Sequence, residues 1–250
     1  MKVDLNADLG EGFGPWPMGA DTAMMDVISS ANIACGFHAG DPDQMLKSMS
    51  AAVARGVGLG AHPGFPDLQG FGRRPMQMSH AEVANMVTYQ TGAAMAMARA
   101  AGGRLRHVKL HGALANMAAD DAALARAAYE GALRADPDLI VMVIAGTDQE
   151  EAALAIGAPI AREIFADRAY LPNARLQDRK IAGAVIHDPE QVAARILAML
   201  QEAAIIAEDG TRIPTQIDTI CLHGDTPQAV EIARNLRTRL EAEKIQIGQF

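Results

Sequence analysis

The chain has 250 residues, half of them apolar and 21% charged, enough to build a hydrophobic core in one large or two small domains. Its 22 basic and 30 acidic residues leave a net charge of −8, which argues against a nucleic-acid or anionic-membrane partner. The longest apolar run, residues 139–145, is far too short to span a bilayer. The opening MKVDLNADLG sets charges where a secretory signal needs an apolar stretch, so the expected location is cytoplasmic.

In chain order, residues 3–8 read as a strand and 21–28 as a helix. Residues 31–37 form a second strand, followed by a helix over 42–55 with Asp41 as its cap and Pro42 at its first position. A third strand over 57–62 runs into a Gly- and Pro-rich loop, 63–78. The long helix over 79–101 opens with the capping-box pair Ser79 and Glu82, and Gly102 and Gly103 stop it. A fourth strand spans 107–111, with its helix at 120–134. The buried-type run 139–145 is a fifth strand, with a helix at 148–154, and 160–165 is a sixth. Residues 171–187 read as irregular or as a hairpin, before a helix over 189–203, a seventh strand over 219–223 and a last helix over 227–243.

Successive β-then-α units imply a parallel sheet with right-handed crossovers. No linker or charge run divides the chain. Seven strands favour a single-domain, closed or nearly closed β/α barrel over an open doubly wound sheet, and no GxGxxG follows the first strand. Cys35 and Cys221 both fall in predicted strands, where a disulfide between them is geometrically open.

Strand parity locates the chemistry. Alternate residues point to opposite faces, so Val3, Leu5 and Ala7 oppose Asp4, Asn6 and Asp8, and Val108 and Leu110 oppose His107, Lys109 and His111. One face is apolar and meets the helices; the other, small or polar, faces the barrel interior. Charges buried there are costly unless paired, hydrogen-bonded or metal-bound. Several strands also end in such groups, which marks that sheet edge as the expected active site.

A metal-free site would use Asp8, Lys109, His111, Glu163 and Asp167 in proton transfer, with Asp225 available as a further carboxylate. Arg73 or Arg168 suits a carboxylate or phosphate. Asn6, Asn32, His223 and Asp225 complete the candidate substrate contacts, although Asn6 and Asn32 could equally satisfy their own neighbours. Asp8, His38 and His62 form an alternative set for zinc or a similar divalent ion, without HExxH or CxxC spacing to support it. His107 reads as structural, and His80 and His187 as surface or capping residues. No GxxxxGK[ST] loop or GxSxG elbow is present.

The segments DLNADLGEGFG, SANIACGFHAGDP, GAHPGFPD with GFGRR, VKLHGAL, EIFADRAY and CLHGDTPQAV, spanning residues 4–230, resemble in order the signature blocks of the LamB/YcsF family. Ala7, Leu110, Ala115 and the Asn173-Ala174 pair stand where the family commonly has cysteine, proline, tyrosine and Asp-Gly. The resemblance implies a barrel of the glycoside hydrolase/deacetylase type. It also implies ATP-dependent opening of 5-oxoproline to glutamate with B and C subunits of a 5-oxoprolinase, a lactam being the small-molecule substrate. ATP would then be bound by those partners. Two other readings stay open: a self-sufficient metal-dependent amidohydrolase or deacetylase, and a lactam-binding subunit without chemistry of its own. Self-association is open as well.

Overall fold

The first strand explains the architecture. In KVDLNADL every second residue is apolar, and in the computed structural model, which describes residues 1–222 and 229–250, this segment is strand β1 (Lys2–Leu9). Val3, Leu5, Ala7 and Leu9 are buried on the helix side. Asp4 and Asn6 are equally buried on the other side, which faces the barrel interior. Strands β2 (Ser30–Ala34), β3 (Gly58–His62), β4 (Leu105–Lys109), β5 (Ile140–Ile144), β6 (Ile160–Phe165) and β9 (Thr219–Leu222) follow in parallel order. Strand β9 pairs back onto β1, Asp4 opposite Thr219 and Asn6 opposite Cys221. The result is the expected closed seven-stranded parallel barrel with helices outside.

Crossover helices begin where local chemistry predicts. Helix α2 (Pro42–Ala54) is capped by Asp41, whose side chain accepts from the Asp43 and Gln44 amides. Helix α3 (His80–Ala100) carries the complete Ser79–Glu82 capping box. Helix α7 (Pro189–Glu202) starts on Asp188. Helix α1 (Asp21–Met25) ends earlier than its pattern suggests, because the Val27 and Ile28 amides both turn back onto the Met24 carbonyl. The expected helix at 120–134 is α5 (Ala122–Ala135), capped by Asp121, and a further short helix that the pattern does not predict, α4 (Gly112–Ala118), precedes it directly after β4. Helices α6 (Asp148–Ala155) and α8 (Ala229–Ala242) complete the ring. No helix among the described residues is long and apolar enough to cross a membrane.

Residues 171–187 stay irregular, held by isolated bridges between Arg168 and Val185 and between Tyr170 and Leu176. A short antiparallel hairpin, β7 (Ala204–Ile206) with β8 (Arg212–Pro214), turns through Asp209-Gly210 and lies outside the barrel sheet. Cys35 lies beyond the end of β2, and both cysteines are buried free thiols, so the disulfide left open by the sequence does not form.

The barrel's lower half is filled by polar groups that satisfy one another. Asp4 Oδ1 accepts from the Ser29 and Ser30 hydroxyls at 2.6 and 2.7 Å, and Oδ2 accepts from Thr219 at 2.5 Å. Burial still pushes the Asp4 carboxyl above its ordinary range. One layer higher, Asn6 donates to Thr219, Asn32 donates to Asn6, and His107 Nε2 donates to Asn32 Oδ1 at 2.7 Å. The His107 ring lies where any Cβ at residue 60 would be, 2.0 Å from its Nε2, which is why that strand position is glycine. The lower end is closed by β10 (Gln246–Ile247), which pairs with the start of β1, and by Phe250 standing edge-on to His107.

Full burial lowers His107 from 6.5 to about 3. A neutral imidazole in the folded state against a titrating one in the unfolded state gives stability that is complete above pH 6.5. That stability is lost as pH falls towards 3. At pH 5 the loss relative to pH 7 is about 2 kcal/mol. Urea unfolding of the wild type and of His107→Gln at both pH values checks this. The variant is expected to show a visibly smaller drop, and equal drops would assign the slope to other groups.

Candidate active site

The top layer of the barrel interior is ionic. Lys109, last residue of β4, extends along the interior to Asp8 on β1 and Glu163 on β6, with Nζ 2.9 Å from Asp8 Oδ1 and 2.8 Å from Glu163 Oε1. The Cys221 thiol lies 3.1 Å from the same ammonium. Burial by itself would lower Lys109, but the Asp8 and Glu163 carboxylates outweigh it and hold the ammonium well above its ordinary value. Burial raises the Cys221 thiol well above its ordinary range, so it stays protonated beside the lysine. Asn32 donates to Asp8 Oδ1 at 2.9 Å, which ties this ion triad to the layers below.

Beside the triad stand three histidines from three strand ends. The His62 Nδ1–H donates to the Lys109 carbonyl at 2.8 Å, and the His111 Nε2–H donates to the Phe71 carbonyl at 2.8 Å. Carbonyls only accept, so both tautomers are fixed. The other two nitrogens, His62 Nε2 and His111 Nδ1, then face each other 3.0 Å apart, with Asp8 Oδ2 3.3 Å from His62 Nε2. His38 stacks on His111 with ring centroids 3.6 Å apart. It is fully buried, and among the described residues neither of its ring nitrogens has a hydrogen-bond partner. Burial, and then the neighbouring histidines, hold His38 well below its ordinary value; burial foremost pulls His111 to about 3.

The loop 63–78 folds over these rings. Its Arg74–Asp67 ion pair, with Nε 3.0 and 3.1 Å from the two carboxylate oxygens, staples the turn. Gly72 has φ +62°, and a Cβ there would lie 2.7 Å from His38 Cβ and 2.8 Å from His111 Cδ2. Only glycine satisfies both the backbone and the packing. Glu11, two residues past β1, returns to this cluster with Oε1 3.9 Å from His38 Nε2 and 4.0 Å from His111 Nδ1.

A cavity of about 620 Å³ opens above this floor. Asp8, Glu11, His62, Lys109, His111 and Glu163 form its chemical lining, and exposed Arg73, Arg179 and Lys180 belong to its wall. Of the residues singled out from sequence, the structure thus brings Asp8, Lys109, His111, Glu163, His62 and Arg73 to one cavity, with His38 behind them. Asn6 and Asn32 lie beneath the floor and do not line the cavity; they orient Asp8 and Lys109 rather than touch a ligand. Arg168 lines the cavity but gives its guanidinium to the Gln177 and Ala184 carbonyls, bracing the 171–187 segment. Asp167 is buried away from the cavity lining. His223 and Asp225 lie outside the described residues. Glu11 is the residue that sequence reasoning misses: it sits on a loop among glycines, where no periodicity marks it.

The groups that could hold a metal are Glu11, His38, His62 and His111, whose ligand atoms lie within 4.8 Å of one another. This set shares His38 and His62 with the one read from sequence. Asp8 turns instead to Lys109, its second oxygen remaining near His62.

The sequence profile of the LamB/YcsF family matches residues 3–250. A protein from Ruegeria pomeroyi, named as the A subunit of 5-oxoprolinase, is 57% identical over 249 residues, covering 100% of this chain and 98% of the relative. Another of that name from Rhodopseudomonas palustris is 51% identical over 251 residues, covering 100% and 99%. The crystal structure of a lactam utilization protein from Thermus thermophilus superposes with a TM-score of 0.94 at 45% identity, covering 100% of both chains. A family 4 carbohydrate esterase from Streptomyces lividans, at 10% identity and a TM-score of 0.53 over 99% of this chain and 92% of that one, shares the fold alone.

Removing the ammonium would leave two buried carboxylates without their shared cation. Lys109→Met is therefore expected to lose about 3–5 kcal/mol of stability. Adding Glu163→Gln to it should restore part of that loss. Denaturant unfolding of the wild type, both single variants and the pair measures the coupling; additive losses would mean that the ion pair is not the source.

Proposed function

This chain belongs to the LamB/YcsF family, and we propose that it is the ring-opening subunit of an ATP-dependent enzyme that hydrolyses 5-oxoproline to glutamate. The observation that carries the reading is the Lys109 ammonium fixed between Asp8 and Glu163 on the floor of a cavity roomy enough for a small lactam. Supporting it, the relatives named as the A component of 5-oxoprolinase match this chain over nearly their whole length.

Two carboxylates keep Lys109 protonated, so it serves as a fixed positive charge and not as a base or amine nucleophile. A charge held in place before the reaction is what a developing oxyanion needs. Asp8 shows more of its side chain to solvent than Glu163, 16% against 2%, and faces the cavity; it is assigned as the base that takes a proton from the attacking water. Glu163 then holds Lys109 in position.

A lactam is a stable amide with a poor leaving group. Transfer of the ATP terminal phosphoryl to the amide oxygen makes the carbonyl carbon electrophilic. Water adds to that carbon, the C–N bond breaks, and the nitrogen leaves as an amine with the proton it needs. The acyl phosphate that remains takes a second water and releases phosphate and glutamate. This chain has no GxxxxGK[ST] loop, so ATP binding and phosphoryl transfer are assigned to B and C subunits. Arg73, Arg179 and Lys180 on the outer wall suit the substrate carboxylate or the phosphate.

Glutamate and phosphate release from 5-oxoproline and ATP is to be measured with this chain alone, with B and C alone, and with all three. Turnover only in the full mixture, at one phosphate per glutamate, is the expected result. ATP-independent turnover by this chain alone would replace the reading with a self-sufficient amidohydrolase. In the full mixture, Asp8→Asn keeps the hydrogen-bonding shape but not the base, and kcat should fall about 10²-fold or more. An unchanged kcat would remove Asp8 from that role.

A further inference from the structure

The histidine cluster has too many lone pairs for its protons. The ring N–H groups by which His62 and His111 reach backbone carbonyls leave His62 Nε2 and His111 Nδ1 facing each other at 3.0 Å, lone pair to lone pair wherever both rings are neutral. Asp8 Oδ2 and Glu11 Oε1, both carboxylate oxygens, approach the same pair at 3.3 and 4.0 Å. His38 is completely buried beside them, with two ring nitrogens that nothing among the described residues satisfies. Unpaired buried polar atoms are costly, and facing lone pairs add repulsion to that. An arrangement of this kind is stable when a cation completes it.

We propose that Glu11, His38, His62 and His111 form a binding site for one divalent first-row transition-metal ion, with Asp8 at its edge. The donor set decides the class of ion. Three imidazoles and one carboxylate suit Zn²⁺, Co²⁺, Ni²⁺ or Mn²⁺, whereas Mg²⁺ and Ca²⁺ prefer oxygen. The four ligand atoms lie within 4.8 Å of one another, against the roughly 3.3 Å that four donors take around zinc, so binding would draw them together and tilt the His38 ring out of its stack on His111 to aim a nitrogen at the same ion. The surroundings fit as well. Two of the rings are already oriented through their other nitrogen by a backbone carbonyl, the usual support of a metal-bound histidine. The loop glycines at 64 and 72 leave room for the His38 and His111 rings, and a Cβ at either would press on them.

His62, His111 and Glu11 line the cavity while His38 lies behind it, so a bound ion would present its open positions to the ligand side. Its chemistry there is that of a Lewis acid towards a carbonyl or phosphoryl oxygen, or towards water. The assignment of the ion does not depend on the lactam reading, because occupancy is measured without substrate.

The test is metal content and affinity of the full chain, freed of any histidine tag. After stripping with a chelator, the protein is titrated with Zn²⁺ and Co²⁺, followed by elemental analysis and by the visible spectrum of the cobalt form. About one ion per chain is expected, with a spectrum of nitrogen and oxygen ligation. Glu11→Gln and His38→Ala should each weaken binding about tenfold or more, while His80→Ala and His187→Ala leave it unchanged. If His38→Ala fails to fold, Glu11→Gln on its loop still decides. Binding well below one equivalent would overturn the proposal and leave a proton shared between His62 and its neighbours. Full binding that neither Glu11→Gln nor His38→Ala weakens would place the ion elsewhere and overturn it equally.

Discussion

A lysine ammonium drawn out of water and given two carboxylates is the constraint around which this barrel is arranged. Lys109 sits in a space that parallel strands usually fill with apolar side chains, and it is tolerable there because Asp8 and Glu163 lie within 2.9 Å. Those three residues come from β4, β1 and β6, so the pairing demands closure: the strands must curl until β9 reaches β1. Register follows from the same demand. A slip of one residue on β1 would send Asp4, Asn6 and Asp8 out against the helices and bring Leu5 and Ala7 in among the charges.

Below that triad the interior behaves differently. Asp4, Ser30, Thr219, Asn6, Asn32 and His107 pair donors with acceptors until little is left over. Such a lattice is rigid, and its function is to present Asp8 and Lys109 at fixed positions. The contrast between His107 and the upper histidines is instructive. His107 is buried and held far below its ordinary value, yet its Nε2 has a matched acceptor. His38 is buried and has none among the described residues. Burial alone does not separate a structural imidazole from one waiting for a ligand; the account of its protons does.

Much of this was legible in the chain. Period-two alternation in β1 and at the ends of the other strands set the polar groups inside, and regular alternation of strands with helices set the barrel. What escaped is what alternation cannot encode. Glu11 returns to the site only because the loop after β1 folds back, and Gly-rich loops carry no periodic signal. Parity puts Asn6 and Asn32 on the same face as Asp8, but depth along the strand, which sequence does not give, decides whether a side chain meets the cavity or lies beneath it. Asp167 and Glu163 look alike as acids near one strand end; Glu163 lies within β6 and points into the barrel, while Asp167 follows its end. Helix α4 and the β7–β8 hairpin are hidden because α4, β7 and β8 are each seven residues or fewer, too short for a period to show.

The charges of the floor also set how a ligand must lie. Asp8, Glu11 and Glu163 bring three carboxylates to the cavity lining, and Lys109 is the close ammonium partner of Asp8 and Glu163. His38 and His111, held low by burial, add no positive charge. On the proposed reaction the substrate is an anion, and a floor so weighted repels its carboxylate. The same molecule has a neutral amide, which can approach Lys109 without that penalty. The carboxylate must then be directed outward, where Arg73, Arg179 and Lys180 line the wall. On that reading the floor favours the amide inward and the outer cations favour the carboxylate outward. A divalent ion among the histidines would cancel the excess negative charge at the floor without altering that orientation, because the guanidinium groups and Lys180 remain on the outer side. Orientation and catalysis thus draw on different charges, held at opposite ends of one cavity.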